Sequence, residues 1–275
     1  MPELARASAI AAAGTADAPR ADGACAPVAP DLAAFLLGLL AIGETTIDGV
    51  GDGPQVTRVA KVCAALGARV ERLGDASWAL AGVGVGGLVT PRAPLDLGPD
   101  MDAAALVAAL VGSHPITARL VVTARAAPLA PVAAALRRMG AAIEPREENG
   151  SVGLAVTGPR ETVPIAFEAA VDAAGGPSPA AAVLLAGLNS PGRVTVVAPV
   201  GALDPLVDLL RRFGARVALE TRDETCAIVL EGQPELHGVH VRADAVAGAS
   251  PLSPSERPGA DADALATREP PAWGS

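Results

Sequence analysis

The stretch PLDLGPDMDAAAL at residues 94–106 combines the features of an anion-binding turn with residues that oppose one. An apolar, strand-like run ends at Gly98 and Pro99 and opens into an alanine-rich segment that predicts a helix. Free amides and partial positive charge at a helix N-terminus attract phosphate or carboxylate groups. Asp100 and Asp102 stand at that point, and an aspartate at an N-cap binds those amides itself. We therefore expect this turn to supply its own anion.

Two other motifs are weaker candidates for chemistry. GVGVGG at residues 82–87 has the glycines of a dinucleotide-binding loop, but Pro91 and Pro94 follow it, so the helix that would hold a pyrophosphate cannot form there. His237 and His240 could face one metal ion, but no third ligand has suitable spacing, and a polar hairpin edge explains them. We predict no metal, no cofactor and no catalytic residue in this chain by itself.

The composition restricts the partners that this chain can bind. It carries 30 Asp and Glu residues against 21 Lys and Arg, with Lys61 as the one lysine, and a net charge of −9. Binding that neutralises many phosphates needs the opposite balance, so we expect no nucleic-acid partner. Without a signal-peptide pattern or an unbroken apolar run of about 18 residues, we expect a cytoplasmic protein with no membrane contact.

The three cysteines show no functional pattern. Cys25, Cys63 and Cys226 are far apart and form no C-x-x-C pair. Neither a disulfide framework nor a zinc site is indicated. We expect them to be small buried hydrophobic residues.

A repeat with a period of 73 and then 74 residues is visible in Gly-Ala pairs that begin at Gly67, Gly140 and Gly214. Each copy reads as an amphipathic helix ended by the glycine, then two strands joined by a polar turn. A short strand and an apolar Leu/Ala helix precede each copy. We predict an α/β fold of three β-α-β-α-β-β units that bury one another's faces, with the helices packed inside and the sheets outside.

Composition also sets the predicted domain bounds. Residues 1–24 and 246–275 are rich in Ala, Pro, Gly, Ser and charge and have no helical or strand period. Such segments cannot bury enough apolar surface to become ordered. We predict a flexible leader at 1–24, a folded domain at 25–245 and a disordered tail at 246–275.

Four segments resemble the EPSP synthase (3-phosphoshikimate 1-carboxyvinyltransferase) family of enolpyruvyl transferases, in order and at matching intervals. The resemblance covers about residues 25–245, or about half of a family member, and implies one α/β prism domain of the two that enclose the substrates. It implies carboxyvinyl transfer from phosphoenolpyruvate to 3-phosphoshikimate, in the shikimate pathway, without a metal. UDP-N-acetylglucosamine enolpyruvyl transferase is a weaker match, because its reactive-cysteine loop has no counterpart near Cys63 or Cys226. The four segments are GVGVGGLVTPRAPLDLG (82–98), LRRMGA (136–141), AVLLAGLNSPG (182–192) and LLRRFGARV (209–217).

The resemblance implies that the cations of the family's anion site are missing. The motif P-G-D-K-S-I-S-H-R aligns with CAPVAPDLA, which puts Val28, Ala29 and Ala33 at the lysine, serine and arginine. The arginine of a later R-P-M motif falls at Ala127, with Arg125 as the one candidate substitute. Charge-assisted hydrogen bonds contribute roughly 1.5–3 kcal/mol each, so losing four removes on the order of 6–12 kcal/mol. A micromolar affinity amounts to about 8 kcal/mol.

The same alignment leaves five residues as vestigial substrate contacts. Gly98 and Asp100 lie in the turn that matches L-D-x-G-N-S-G-T, and Arg125 stands beside the lost arginine. Ser178, in GPSPAA, matches part of S-A-Q-x-K-S, and Asp204, in LDPLV, matches the aspartate of R-D-H-T-E.

Three functional hypotheses follow from these residues. The first is a catalytically inactive, half-length family member, a pseudoenzyme that keeps a binding or scaffolding role toward a small anionic or cyclitol ligand. The second is one half of a two-chain transferase with an altered substrate, completed by a complementary domain on another chain. The third is the product of a truncated gene, without a function.

Overall fold

The computed structural model describes residues 28–123, 129–148, 151–169 and 176–242, and side chains 147, 148, 151 and 152 lie outside that description. These residues form six helices and twelve strands. In chain order they are α1 (Pro30–Leu40), β1 (Glu44–Asp48), α2 (Pro54–Ala65), β2 (Arg69–Arg72), β3 (Ser77–Ala81), β4 (Leu95–Gly98), α3 (Met101–Gly112), β5 (Thr117–Val122), α4 (Ala130–Arg138), β6 (Ala142–Glu148), β7 (Ser151–Thr157), β8 (Ala166–Glu168), α5 (Pro179–Gly187), β9 (Arg193–Pro199), α6 (Asp204–Arg212), β10 (Val217–Arg222), β11 (Thr225–Glu231) and β12 (His240–Arg242).

Local sequence signals explain where the helices end. After α2, α4 and α6, the repeat glycines Gly67, Gly140 and Gly214 have φ values of +119°, +101° and +101°. The amide after each glycine donates to a carbonyl five residues earlier, as in Ala141 N to Leu136 O at 3.1 Å. This is the Schellman motif, which favours glycine because a side chain strains the left-handed backbone. The predicted glycine ends of the repeat helices are confirmed.

Three four-stranded sheets follow the repeat. The second unit is β4-α3-β5-α4-β6-β7 and the third is β8-α5-β9-α6-β10-β11, as predicted. In each of these two units the first two strands are parallel and the other pairings are antiparallel. The α/β fold of three repeated units is confirmed.

The first sheet is completed from the far end of the domain. Its order is β12-β1-β3-β2, and β12 pairs parallel with β1 through Thr46↔His240 and Asp48↔Arg242. This is the position that β4 and β8 occupy in the other two sheets. The last described strand therefore serves as the leading strand of the first unit and closes the domain on itself.

The helices lie inside the sheets, as predicted. α1, α3 and α5 are buried on almost every side, with Phe35, Leu106 and Leu184 at most 2% exposed. α2, α4 and α6 bury one face each and expose the other. Small alanine side chains allow the central helices to approach closely, and α3 packs directly against α5.

Strand directions fix the directions of the helices. α3 joins parallel β4 and β5, so it runs antiparallel to both and begins at their carboxyl ends. α5 joins parallel β8 and β9 in the same way. β9 and β10 each pair antiparallel with β11, so they are parallel to each other, and α6 also begins at the carboxyl end of its preceding strand.

A buried polar network joins the carboxyl ends of the central helices. Ser113 and His114 follow α3, and the Ser113 carbonyl accepts hydrogen bonds from Thr162 Oγ1 at 2.7 Å and from Asn189 Nδ2, which follows α5. The ring nitrogen His114 Nε2 accepts from the Gly86 amide of the first unit at 3.2 Å. The carboxyl ends of α3 and α5 thus meet at one end of the domain, and their amino ends lie at the other.

Two remaining predictions concern cysteines and domain bounds. Cys63 and Cys226 are unpaired and buried, as predicted, and burial raises the pKa of the Cys63 thiol to about 12. Cys25, the leader and the tail lie outside the described residues. The domain bounds 25–245 stay a prediction.

Candidate functional site

The turn between β4 and α3 is filled by the chain's own carboxylates. Gly98 ends β4 with a φ of +58°, and its amide donates to Asp96 Oδ1 at 2.9 Å. Asp100 is the N-cap of α3, where its Oδ1 accepts from the Ala103 amide at 2.9 Å. Of the two aspartates predicted to cap this helix, Asp100 is the one that does so. Two amides that could bind a ligand anion are therefore already occupied.

Helix α2 of the neighbouring unit holds both carboxylates. Gln55 Nε2 donates to Asp100 Oδ2. Arg58 Nε lies 3.7 Å from Asp96 Oδ2, and the guanidinium lies so close to Gly98 that a Cβ there would be 2.8 Å from Arg58 Cζ. Both partners of this ion pair are at least a third exposed, so it contributes little to stability, about 0–1 kcal/mol. Its effect is to neutralise charge at the turn.

Arg58 and Gln55 are the residues at this turn that sequence reasoning missed. The alignment searched for cations at the family's own motif positions, and α2 lies outside those motifs. The signal available was the three-residue spacing of Gln55 and Arg58, which places both on one side of a helix. Nothing in that spacing indicates which neighbouring strand the side faces.

Of the other two central helices, α5 is capped in the same manner. Ser178 is the N-cap of α5, its Oγ accepts from the Ala181 amide at 3.1 Å, and it is 4% exposed. α1 has no side-chain cap at its N-cap Ala29; inside its first turn, Asp31 Oδ1 accepts from the adjacent Leu32 amide at 2.9 Å. Each central helix therefore has an N-terminal amide bonded to a side-chain oxygen of this chain.

Asp204 adds another carboxylate at a helix start. It is the first residue of α6, one turn before Asp208. Burial raises the pKa of the Asp208 carboxyl, and the negative charge of Asp204 raises it further, against the weaker opposing effect of Arg211 and Arg212. The two carboxylates therefore repel each other across one turn of α6.

The predicted contact residues share one end of the fold but do not form a bonded cluster. Gly98, Asp100 and Ser178 lie at the amino ends of α3 and α5, and Asp204 lies at the matching end of α6. Within the described residues, no hydrogen bond or ion pair joins any two of these four. Arg125 lies outside the described residues, so its predicted contact stays a prediction.

The positions that align with the lost cations carry buried apolar side chains, so they supply no positive charge. Val28 is 8% exposed and Ala33 is 1% exposed, with Ala33 inside α1. Ala180, at the lysine position of the S-A-Q-x-K-S motif, is 1% exposed in α5. These positions are packed with apolar side chains.

No cluster of three His, Cys, Asp or Glu side chains able to hold a metal ion occurs in the part of the chain that the structure describes. His240 Nε2 lies 2.6 Å from Asp48 Oδ2 and so joins β12 to β1, and hydrogen bonds from Ser77 and His240 lower the pKa of Asp48. The His237 ring lies against Gly214, with Cδ2 3.6 Å from the position of a Cβ there.

Among the described helices, none has the length and apolar character needed to span a bilayer.

Comparisons with known proteins agree on one family. A family model described as EPSP synthase (3-phosphoshikimate 1-carboxyvinyltransferase) matches residues 32–253. Curated proteins with the name 3-phosphoshikimate 1-carboxyvinyltransferase are 40% identical over 226 residues in Methylorubrum extorquens and 40% identical over 224 residues in Rhodopseudomonas palustris. Both matches cover 80% of this chain, which spans about half the length of each relative, 49% and 50%.

Solved structures show the same fold. EPSP synthase from Acinetobacter baumannii superimposes with a TM-score of 0.65 and 23% identity over 82% of this chain and 51% of that protein. The enolpyruvyl transferase NikO from Streptomyces tendae gives a TM-score of 0.54 and 22% identity over 80% of this chain and 52% of that protein.

Proposed function

This chain belongs to the EPSP synthase family, and we propose that it keeps the family's domain but has lost binding of 3-phosphoshikimate, so that alone it catalyses no carboxyvinyl transfer. The observation that carries the proposal is the Gly98 turn. There Asp100, which stands at the serine of the family's L-D-x-G-N-S-G-T pattern, binds the Ala103 amide from within the chain, next to the Asp96 carboxylate on the Gly98 amide. A ligand phosphate would have to displace these carboxylates or approach them closely.

The energetics of that approach are unfavourable. Two unit charges of the same sign 4 Å apart repel by about 4 kcal/mol at an effective dielectric constant of about 20. The turn does carry a cation in Arg58, but Asp96 already neutralises it. Since apolar side chains fill the aligned positions Val28, Ala33 and Ala180, no compensating attraction comes from them.

The proposed role is therefore binding or scaffolding by an intact fold, as a pseudoenzyme of the shikimate-pathway family in the cytoplasm. The buried core and the caps of α3 and α5 support this role, because all of them come from this chain and need no ligand. The alternatives remain a two-chain transferase completed by a complementary domain with an altered substrate, and a truncated-gene product without a function.

Calorimetric titration of the 275-residue chain with 3-phosphoshikimate tests the loss of binding. We expect no saturable heat at ligand concentrations up to about 5 mM, where a Kd near 1 mM, or about −4 kcal/mol, would be visible. Phosphate release from phosphoenolpyruvate and 3-phosphoshikimate should equal the enzyme-free rate. The Methylorubrum extorquens relative serves as positive control in both assays.

Restoring the family's serine at this turn tests whether Asp100 causes the loss of 3-phosphoshikimate binding. The family pattern L-D-x-G-N-S-G-T has serine at this position, and serine also caps helices, so Asp100→Ser removes the charge and keeps the cap. Any weak 3-phosphoshikimate binding should be stronger in Asp100→Ser than in wild type. Saturable binding by wild type below about 1 mM, or phosphate release above background, would refute the proposed loss.

A further inference from the structure

An open cleft of about 530 Å³ lies where the first unit meets the second. One wall is helix α2 and the other is the segment that leads into β4. The cleft is lined on the apolar side by Val62, Ala65 and Leu95 and on the polar side by Thr57, Arg58 and Lys61. Its volume is that of a site for a small organic molecule.

The charges that line this cleft are unevenly matched. Arg58 and Lys61 are three residues apart on α2, so both side chains lie on the same side of the helix. Arg58 has Asp96 at 3.7 Å, and the cleft's other carboxylate, Asp52, is held by Arg72 of β2 at 3.2 Å. Lys61 forms no ion pair or hydrogen bond with any residue that the structure describes. Lys61 is therefore the charged side chain of the cleft lining that has no partner among the described residues.

The fold does not require cations at these two positions. Arg58 and Lys61 precede the repeat glycine Gly67 by nine and six residues. The residues at the same places in the other units are Pro131 and Ala134, and Pro205 and Asp208. These three helices end in the same Schellman motif and pack in the same layer, so the basic pair is a property of the first unit alone.

We propose that this cleft binds a small organic monocarboxylate with a compact apolar ring. The carboxylate lies between the Lys61 ammonium and the Arg58 guanidinium, and the ring lies against Val62, Ala65 and Leu95. A single carboxylate matches the single uncompensated cation, and the apolar wall favours a ring over an inorganic anion. Phosphate dianions are disfavoured because Asp52 and Asp96 border the same space.

Ligand binding in this cleft would change the contacts of the Gly98 turn. Arg58 contacts both Asp96 and Gly98, and Asp96 in turn binds the Gly98 amide. A ligand carboxylate that shares Arg58 weakens the Arg58–Asp96 pair and changes the surroundings of that amide. The Gly98 amide resonance is therefore a reporter of occupancy.

Titration of the full chain with benzoate, followed by amide NMR shifts, tests the site. We expect saturable shifts of Gly98 and of α2 residues with a Kd on the order of 1–10 mM. Benzamide, which has the ring without the charge, should cause none at the same concentrations. The proposal does not rest on the loss of 3-phosphoshikimate binding. Benzoate binding and 3-phosphoshikimate binding are measured separately, each without the other ligand, so one can fail while the other holds.

Two matched variants test whether Lys61 supplies the positive charge that binds benzoate. Lys61→Gln should weaken benzoate binding about tenfold, the value of one charge-assisted hydrogen bond. Arg69→Gln removes an exposed cation on β2, outside the cleft, and should leave binding unchanged. Ala65→Phe should fill the cleft and abolish the shifts. Absence of saturable shifts in wild type, or equal binding by wild type and Lys61→Gln, would overturn the proposal.

Discussion

Asp100 illustrates how one residue can replace a ligand. The free amides at a helix start bond to water, to an anion or to a capping side chain. Here the cap comes from Asp100, which is also held by Gln55 of the neighbouring unit. The amide at this helix start is therefore hydrogen-bonded without a ligand.

Removal of this cap should destabilise the domain. Asp100→Ala loses the bond to the Ala103 amide and should lower the free energy of unfolding by about 1 kcal/mol. Asp100→Asn keeps an oxygen at the same place and should remain near wild type. Urea unfolding followed by circular dichroism measures both. Equal stability of Asp100→Ala and wild type would show that the cap does not contribute.

His114 is a residue whose protonation should affect the whole domain. Its Nδ1 lies 2.7 Å from the Leu110 carbonyl, so Nδ1 carries the proton and donates, which leaves Nε2 to accept from the Gly86 amide. A protonated ring could not accept that hydrogen bond. Desolvation by burial lowers the pKa of His114 below its ordinary value of 6.5, against a smaller raising effect of the Leu110 bond.

The sign of the pH dependence follows from this shift. The unfolded chain binds a proton at His114 near pH 6.5 and the folded chain binds it only at lower pH. The stability from the neutral ring is complete above pH 6.5 and is lost as the pH falls from there toward the folded pKa. Comparison of urea unfolding at about pH 7.5 and about pH 5.5 should show a larger loss in wild type than in His114→Gln. Parallel losses would exclude His114 as the cause.

At the scale of elements, the Schellman ends show why the repeat is so visible. Each amphipathic helix must reverse into a strand within two residues, and the left-handed backbone at that point favours glycine. Local geometry therefore fixes the same residue at the same place three times.

Substitution of a repeat glycine should be costly even with a small side chain. Gly140→Ala places a Cβ at a φ of +101° and 3.2 Å from the Pro159 ring, and should cost about 1–2 kcal/mol. Gly51→Ala is the matched control, because no atom lies within 4 Å of its Cβ position. Thermal unfolding compares the two. A Gly140→Ala melting temperature equal to that of Gly51→Ala would contradict the argument from strain.

At the scale of the whole molecule, the three units share one core. Their central helices pack against one another, the polar network of Gly86, Ser113 and Asn189 links all three, and β12 returns to the first sheet. No unit buries its helix alone. We therefore expect the units to unfold together.

A core substitution in the third unit should lower the stability of the first unit as well. Leu184→Ala in α5, at a fully buried side chain, should cost about 2–5 kcal/mol. In a Trp273→Phe background, Trp78 of β3 reports on the first unit alone. Its fluorescence midpoint in urea should fall as far as the circular dichroism midpoint. A Trp78 transition that does not move would indicate units that unfold independently.

The family assignment and the repeat were available from the sequence because both depend on patterns that survive along the chain. The glycine spacing, the apolar central helices and the motif LDLG at residues 95–98 are such patterns, and the three units and the family are confirmed. The predicted roles of Gly98, Asp100, Ser178 and Asp204 as vestigial contacts stay predictions. All four lie at or next to the amino-terminal ends of helices, at one end of the fold.

Besides the repeat and the family, what the sequence determined by itself is local: where helices begin and end, which faces are apolar, and that an aspartate caps α3. The tertiary structure decided which distant residues meet, since Gln55 lies 45 positions from Asp100 and β12 is almost 200 residues from β1. The physical reason is that a cap or a helix end depends on one turn of backbone. The meeting of α2 with the Gly98 turn depends on the packing of two whole units, which residue spacing along the chain does not encode.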